Sequence, residues 1–344
     1  MRLGTIDRPG ERKIHTVPTP LMGGMAVYVA FAVAVVVTVP LSVPVVGLLA
    51  GCLAAVVVGA VDERFTLPPL LHLAGQNVAA LIAIVSGVGV IQTVSNPFSS
   101  LTSPGWHLPL LVGGALTLFW LVGMMNTINF LDGLDGLATG VVAIAAFLLA
   151  AWAFEEQRLY IPAMAHHQDL VLPLALAGAL LGFLPYNWHH AKIFLGDSGA
   201  MFLGLGLAAI SIVGPAKLAT MLFIVLIPVL DVAWAIVRRM LNGRSFLSGD
   251  KQHVYHRMRE LGLGTTGTVV TLYGLCLLLA GLDLALVRVF KLVAFVVLAI
   301  VTITVFVWLE IRAAGRLGGD KAPPASSARP SAGPPELHRS SPPQ

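Results

Sequence analysis

The chain alternates between long apolar stretches and short polar ones over most of its length. Ten apolar stretches come close to the roughly 20 residues that a helix needs to cross a hydrocarbon core. They lie at residues 24–40, 45–61, 72–92, 108–126, 134–154, 168–186, 200–214, 216–238, 267–288 and 291–312. Because only helices and closed barrels satisfy their own backbone hydrogen bonds in lipid, the pattern predicts an all-α polytopic membrane protein with about ten transmembrane helices.

The composition agrees with this prediction. The chain is 57% hydrophobic and 11% charged, with a mean hydropathy of +0.86, whereas soluble domains carry about 25% charged residues. Cys52 and Cys276 both fall inside predicted spans and indicate neither a disulfide framework nor a metal site. We expect three parts: a cytoplasmic N-terminal segment at 1–23, a transmembrane domain with cytoplasmic loops at 24–312, and a disordered, Pro-rich and Ser-rich cytoplasmic tail at 313–344.

The basic residues are distributed unequally between the two sides of the predicted bundle. Seventeen of the 21 Lys and Arg residues fall in the termini and in the loops on one side; the other four are Arg158, Lys217, Arg288 and Lys291. Since basic residues accumulate in cytoplasmic loops, both termini and the loops at 62–71, 127–133, 187–198 and 238–266 are predicted to be cytoplasmic. The net charge of +4 then describes the cytoplasmic face of a membrane protein and not a nucleic-acid groove.

Acidic residues cluster where the predicted spans end on that side. They are Asp62 and Glu63 in VDERF, Asp132 and Asp135 in NTINFLDGLDGLATG, and Asp197 in FLGDSGAMFLG. In a helix, Asp132 and Asp135 would share one face, where two carboxylates repel each other unless a cation joins them. The pattern predicts a Mg2+ site, because Mg2+ binds through one or two carboxylates plus substrate phosphates. Mn2+ is an alternative. Any single acid here could instead serve only to cap a helix end. Glu63 could be a second acid of the site or a solvated residue at the end of a helix.

A basic segment in the predicted 238–266 loop carries the second candidate group. His253 and His256 are spaced i, i+3 with Arg257 beside them in DKQHVYHRMRELG, and such a cluster suits phosphate oxygens. A zinc site is only weakly indicated, because no Cys or accompanying Glu completes it, and a basic helix lying on anionic lipid is the simpler alternative. Asp231, deeper in the span before this loop, stays open between a structural and a functional role.

Further polar residues on the same predicted side could take part. Asn126 and Asn129 could hydrogen-bond the carboxylates or a ligand, or only join helices. His189 and His190 could reach the site or pack at the membrane interface. The other candidates for substrate binding are Arg12, Lys13, His15, Asn187 and Lys192.

Five motifs in this order resemble one family: DRPGERKIHTVPTPLMGG, VDERF, NTINFLDGLDGLATG, AKIFLGDSGAMFLG, and PVLDVAWAIVRR with DKQHVYHRMRELG. The chain resembles the polyprenyl-phosphate N-acetylhexosamine-1-phosphate transferases from about residue 7 to 265. It is most similar to the bacterial enzymes that load N-acetylglucosamine 1-phosphate onto undecaprenyl or decaprenyl phosphate; the muramoyl-pentapeptide transferases are cousins. The resemblance implies a Mg-dependent enzyme of the bacterial plasma membrane that uses a UDP-N-acetyl sugar and a polyprenyl phosphate and releases UMP.

The resemblance also implies roles for residues. The matching catalytic positions are Asp62, Asp132, Asp135, Asp197, His253 and His256, and the metal positions are Asp197 and Asp132. The substrate-binding positions are Arg12, Lys13, His15, Glu63, Asn126, Asn129, Asn187, Lys192 and Arg257.

The chain departs from the family pattern at four places. Glu63 replaces the second of two aspartates, Tyr255 replaces a histidine of the loop, and His189 with His190 stand where a proline-containing stretch is common. Relatives also carry one more span ahead of the R-K-x-H segment, which implies either a start assigned too late or a shortened member. Three alternative functions stay open at this point: the same chemistry with another donor such as UDP-MurNAc-pentapeptide, a transporter, and an inactive scaffold. A homodimer also stays open.

Overall fold

The computed structural model describes residues 6–7, 19–94, 105–159, 167–213, 218–241, 243, 253–286 and 288–319. The helices in these ranges are α1 Gly23–Thr38, α2 Val43–Phe65, α3 Pro69–Ala83, α4 Leu110–Leu131, α5 Leu137–Leu159, α6 His167–Asn187, α7 Gly196–Val213, α8 Leu218–Ile224, α9 Leu226–Leu241, α10 Val254–Met258, α11 Gly264–Ala285 and α12 Arg288–Gly319. Two antiparallel pairs of two-residue strands accompany them: β1 Ile6–Asp7 with β2 Thr19–Pro20, and β3 Thr93–Val94 with β4 Trp106–His107. Single π-helical turns follow α3 and α10, at Ile84–Val88 and Arg259–Leu263.

Each of the ten predicted spans falls on helix, and the prediction of a helical, multi-span membrane protein is confirmed. Within the described residues, eight helices are long and apolar enough to cross a membrane. The first predicted span corresponds to α1, which is shorter at 16 residues. The span predicted at 216–238 is divided into α8 and α9. The exact number of spans and the side of the termini therefore stay predictions.

Helix α7 forms the centre of the bundle. Every residue from Ser198 to Ser211 is buried, and α1, α2, α4, α5 and α6 pack around it. A helix that is surrounded on all sides needs small residues where its neighbours approach, and the sequence GDSGAMFLGLGLAAISIV supplies glycine and alanine at such points.

Three glycine contacts show how closely the neighbours approach. A Cβ added at Gly24 of α1 would lie 2.1 Å from the backbone nitrogen of Gly199, and one added at Gly59 of α2 would lie 2.4 Å from Cα of Ser198. On the opposite flank, a Cβ at Gly204 would lie 2.5 Å from Cα of Met125 in α4. The first turn of α7 is therefore held between α1 and α2, which fixes the position of its acidic residue.

The structure corrects two local expectations. Helix α4 runs on to Leu131, so the segment 127–131 is helical and not a loop. The segment 132–136 between α4 and α5 is a turn, with Gly136 at a φ of 76°, so Asp132 and Asp135 do not share the face of a helix. Two glycines in the stretch LDGLDGL explain the interruption, because glycine is a poor helix former and adopts positive φ easily.

Residues Val307–Gln344 form a unit separate from Met1–Phe306. Its described part, residues 307–319, is helical. The prediction of a disordered tail at 313–344 stays untested.

Candidate active site

The predicted site residues within the described ranges converge on one end of the bundle. The end of α2, the turn between α4 and α5, and the start of α7 supply the acids, and α10 lies against them. Side-chain hydrogen bonds and packing contacts link these elements. Arg12, Lys13 and His15 lie outside the described residues.

Asp62 lies in the last turn of α2 and faces α3. Its Oδ1 accepts a hydrogen bond from the backbone N–H of Leu67 at 2.7 Å, and its Oδ2 lies 3.8 Å from Nδ1 of His72. The side chain of Asp62 is close enough to Asp197 for the two charges to interact. His72 therefore belongs to the acid cluster, although the sequence analysis did not single it out.

Glu63 caps the first turn of α7. Its Oε1 accepts hydrogen bonds from the backbone N–H of Ser198 at 2.9 Å and from the Ser198 hydroxyl at 2.8 Å. A carboxylate at a helix N-terminus satisfies backbone N–H groups that lack a partner within the helix. The longer side chain of glutamate thus connects α2 to the residue directly after Asp197.

Asp132 and Asp197 form the most crowded part of the cluster. Asp197 is in the first turn of α7, where its Oδ1 accepts a hydrogen bond from Nδ2 of Asn129 at 2.7 Å. Burial raises the pKa of Asp132 well above the usual value for aspartate, and the nearby charges of Asp197 and Asp135 raise it further. A hydrogen bond from the backbone of Gly196 opposes this rise in pKa. Two or more carboxylates are therefore crowded together here.

Asp135 and Asn187 hold the loop between α6 and α7 against the turn before α5. Asp135 Oδ2 accepts hydrogen bonds from Nδ1 of His189 at 2.8 Å and from the backbone N–H of Ala191 at 3.2 Å. Asn187 Oδ1 accepts from the Thr139 hydroxyl at 2.7 Å and the Gly136 N–H at 3.2 Å, and Nδ2 donates to the carbonyl of Ile193. Of the interpretations left open for His189, the structure favours contact with the site.

Asn126 pairs with α3. Its Nδ2 donates to Gln76 Oε1 at 2.7 Å and to the carbonyl of Val122 at 2.9 Å. Gln76 is buried and its Nε2 lies 3.5 Å from Nε2 of His72. Asn126 therefore joins two helices, whereas Asn129, three residues later, reaches the acid cluster.

The His253 segment docks on the turn after α4. The ring of Tyr255 packs so closely on Gly133 that a Cβ there would lie 2.4 Å from Cζ of the ring, and the ring of His253 lies 5.3 Å from that of Phe130. His253 Nδ1 in turn donates to Asp231 Oδ2 at 2.8 Å. Tyr255, which departs from the family pattern, thus anchors the segment to the acid turn.

Three further basic candidates are His256, Arg257 and Lys192. His256 is half-buried with its ring 4.4 Å from that of Tyr255, and Arg257 is half-buried one residue later. Lys192 is exposed on the loop before α7.

Sequence reasoning missed three residues or pairings. His72 and Gln76 lie in an apolar stretch ten or more residues after Asp62, and their spacing of four, which places both on one helix face, was the available signal. The bond between Asp231 and His253 joins residues 22 positions apart, and no local pattern indicates it.

A divalent cation fits the donor set only with help from a ligand. Among the described residues, no three His, Cys, Asp or Glu side chains are grouped as a ready metal site. Asp132 and Asp197 nevertheless offer hard oxygen donors, and their crowding is what a cation would relieve. Mg2+ commonly takes one or two carboxylates and completes its shell with water and phosphate oxygens.

A bundle of apolar helices that brings acids from three helix ends together beside a histidine segment defines a multi-pass membrane protein with a polar site for a charged ligand. The chain belongs to glycosyl transferase family 4, whose family model matches residues 45–215. The matched region contains Asp62, Asp132, Asp135 and Asp197 and ends before His253.

Curated relatives point the same way. The chain is 36% identical over 309 residues to a decaprenyl-phosphate N-acetylglucosaminephosphotransferase of Mycolicibacterium smegmatis, a match that covers 79% of this chain and 73% of the relative. It is 31% identical over 281 residues to a probable undecaprenyl-phosphate N-acetylglucosaminyl 1-phosphate transferase of Bacillus subtilis, with 79% and 75% covered. An Escherichia coli K12 undecaprenyl-phosphate alpha-N-acetylglucosaminyl 1-phosphate transferase is 28% identical over 274 residues, with 76% and 71% covered. The family resemblance predicted from the motifs is confirmed, and the chain is a membrane transferase.

Proposed function

We propose that the protein transfers N-acetylglucosamine 1-phosphate from UDP-N-acetylglucosamine to a polyprenyl phosphate of the undecaprenyl or decaprenyl type. The products are polyprenyl-diphosphate N-acetylglucosamine and UMP. The observation that carries the proposal is the convergence of Asp62, Asp132 and Asp197, from three helix ends, at one end of an apolar bundle. The names of the relatives support both the lipid acceptor and the sugar.

The reaction exchanges one phosphoanhydride for another. An oxygen of the lipid phosphate attacks the β-phosphorus of the sugar nucleotide. A P–O bond forms there as the bond from that phosphorus to the bridging oxygen breaks, and UMP leaves with the bridging oxygen. Such a transfer requires mainly alignment of the two phosphates and compensation of their charge.

The described residues suit these tasks. Asp62 would orient the lipid phosphate and accept its proton when it carries one, with His72 beside it at 3.8 Å. Asn129 holds the Asp197 carboxylate in one orientation at 2.7 Å, and Glu63 fixes the helix turn on which Asp197 lies. His253 and Arg257 would meet the phosphate oxygens from the opposite side.

Mg2+ is the proposed cofactor, with Asp197 and Asp132 as its protein ligands. When bound, it would neutralise charge on the diphosphate. The support is the crowding of these carboxylates, whose charges add to burial in raising the pKa of Asp132, together with the preference of Mg2+ for oxygen donors shared with a substrate.

A small, mostly apolar cavity between α4, α5, α9 and α11 lies next to Asp231 and is lined by side chains that include Phe130, Leu131, Val141 and Leu272. The unequal distribution of Lys and Arg supports a cytoplasmic position for the site in the bacterial plasma membrane.

The test is UMP release by purified protein in detergent with undecaprenyl phosphate, Mg2+ and a panel of UDP-sugars. We expect release with UDP-N-acetylglucosamine and formation of a lipid-linked sugar, and we expect Asp197→Asn to abolish both. Asp283→Asn, which removes a carboxylate paired with Lys291 outside the acid cluster, serves as the matched charge control when activity is given per folded molecule. No UMP from any donor would refute the proposal, and release with UDP-MurNAc-pentapeptide alone would refute the proposed donor.

A further inference from the structure

A buried carboxylate and a buried imidazole face each other beside the acid cluster. Asp231 of α9 accepts hydrogen bonds from His253 Nδ1 with its Oδ2 at 2.8 Å and from the backbone N–H of Val254 with its Oδ1 at 3.0 Å. His253 is the N-cap residue of α10. Both oxygens of Asp231 are therefore bonded to the start of α10.

Two aromatic rings hold the imidazole on its faces. The ring of Tyr255 is stacked with that of His253 at 5.7 Å and an interplanar angle of 10°, and Phe130 lies at 5.3 Å. His253 is only 2% exposed. The ring thus has one orientation, set by Asp231 at its edge and by aromatic contacts at its faces.

The second ring nitrogen, Nε2, is not bonded to any of the described residues. Among the described residues, Nε2 of His253 is buried and makes no hydrogen bond. Buried polar atoms are nearly always hydrogen-bonded, so an exception calls for an explanation. A substrate oxygen that reaches Nε2 would supply one.

The Asp231 contact decides which nitrogen meets that oxygen. An ionised carboxylate can only accept hydrogen bonds, so Nδ1 must carry a proton in either charge state of the ring. Nε2 is then the only ring nitrogen left to take a proton from a phosphate oxygen or, once it is protonated, to donate a hydrogen bond to one. This assignment follows from the hydrogen-bond network, as histidine tautomers generally do.

We propose that Asp231 is a positioning residue that orients His253 and fixes its tautomer, so that Nε2 is presented to a phosphate oxygen of the substrates. The inference rests on the proposed phosphoryl transfer for its functional consequence. Asp231 itself does not touch the substrate; it acts through the imidazole. The competing interpretation is a simple tether between α9 and α10.

Asp231→Asn separates these two roles. The amide oxygen of asparagine can still accept from Val254, so the tether is kept. Its NH2 group faces His253 Nδ1 as a donor and forces the ring proton onto Nε2. We expect kcat to fall about 100-fold while the KM for UDP-N-acetylglucosamine changes less than about threefold.

A double-variant cycle tests whether Asp231 acts through His253. Asp231→Asn in a His253→Gln background should cause no further loss, whereas independent roles would multiply. Thr268→Val is the matched control, because Thr268 is buried in α11 and donates to the carbonyl of Gly264 in its own helix; we expect its activity to stay within about twofold of wild type. Multiplying losses, or near-normal activity of Asp231→Asn, would overturn the inference.

The 15N spectrum of histidine-labelled protein tests the pairing without relying on a variant of Asp231. The His253 signals are assigned by their absence in His253→Gln, and we expect a protonated Nδ1 in the wild-type protein. An unprotonated Nδ1 would overturn the inference even if Asp231→Asn failed to fold. If wild-type protein released no UMP, the proposed function would fail, whereas active protein with an indifferent Asp231→Asn would refute only the positioning role.

Discussion

Two acids in this protein, the buried Asp283 and the half-buried Asp132, have opposite surroundings. Asp283, near the end of α11, is 1% exposed and forms an ion pair with Lys291, whose Nζ lies 3.1 Å from Oδ1 and also 5.3 Å from the ring centre of Trp152. Asp132 is surrounded by other carboxylates instead. Within the described part of the chain, no Lys, Arg or His lies within ion-pair distance of Asp132 or Asp197.

This difference distinguishes Asp283, an acid with a structural role, from Asp132, an acid of the candidate active site. A buried charge is stable only when paired or hydrogen-bonded, and the chain supplies the partner for Asp283 itself. At Asp132 and Asp197 the chain supplies hydrogen bonds, from the backbone of Gly196 and from Asn129, and a bound cation would add the compensating charge. Each prediction below is designed to test or refine this contrast.

The largest effect is expected for Asp132→Asn. Removing the charge should lower UMP release by at least about a thousandfold, because the proposed Mg2+ would lose one of its two protein ligands. Stability without metal should not fall. The pKa of Asp132 lies above its usual value in the folded protein, so ionisation near neutral pH costs folding free energy that asparagine avoids.

The measurement is thermal unfolding in detergent with EDTA, run beside the activity assay at neutral pH. The sign of the effect is specific: for a raised carboxylate pKa, the stabilising contribution is present at low pH and is lost as pH rises toward the folded-state pKa. A lower unfolding midpoint for Asp132→Asn would place this acid in the same class as Asp283.

The sequence indicated the transmembrane helices and the clustering of acidic residues at their ends, because both follow from the physical chemistry of lipid. Long apolar stretches must become helices in lipid, and charged groups collect at their ends. The sequence did not indicate which residues contact these acids in the folded protein. The contact of Asp62 with His72 depends on how α3 returns against α2, and the docking of Tyr255 on Gly133 depends on a fold of the chain across more than 100 residues. Glu63 and Tyr255 depart from the family pattern, yet each has a definite packing role, on Ser198 and on Gly133.

Asp283→Asn should show the reverse behaviour of Asp132→Asn. Lys291 would lose its partner, and the free energy of unfolding should fall by about 2 to 3 kcal/mol, below the roughly 3 to 5 kcal/mol of wholly buried pairs, because the Lys291 side chain is 21% exposed. Activity per folded molecule should stay close to wild type. Adding Lys291→Met should recover most of the stability; if the double variant were no more stable than Asp283→Asn, the ion pair would not be the cause.

Mg2+ should raise the unfolding free energy only of those forms of the protein that keep the proposed metal ligands. With UDP-N-acetylglucosamine present, Mg2+ at about 100 times its Kd should add roughly 2.7 kcal/mol to the unfolding free energy of the wild type. The same addition should leave Asp197→Asn nearly unchanged and should stabilise Asp283→Asn as much as wild type. Equal stabilisation of Asp197→Asn would show that the ion binds elsewhere.

The smallest effect is expected at Glu63, which stands between the two classes. Its Oε1 is bonded to Ser198 twice, so Glu63→Gln, which keeps that oxygen, should retain activity within about twofold, since surface-like changes that preserve contacts cost little. Glu63→Ala removes the cap and should cost about 1 kcal/mol of stability and about tenfold in kcat, because Asp197 is the neighbour of Ser198 and small misplacements slow transfer. If Glu63 contributed its charge to the substrates, Gln and Ala would lose activity equally. The ratio of the activity lost in Glu63→Ala to that lost in Glu63→Gln therefore decides the role of Glu63. It is either an acid that is bonded within the protein, as Asp283 is, or an acid that acts on a bound ligand, as proposed for Asp197.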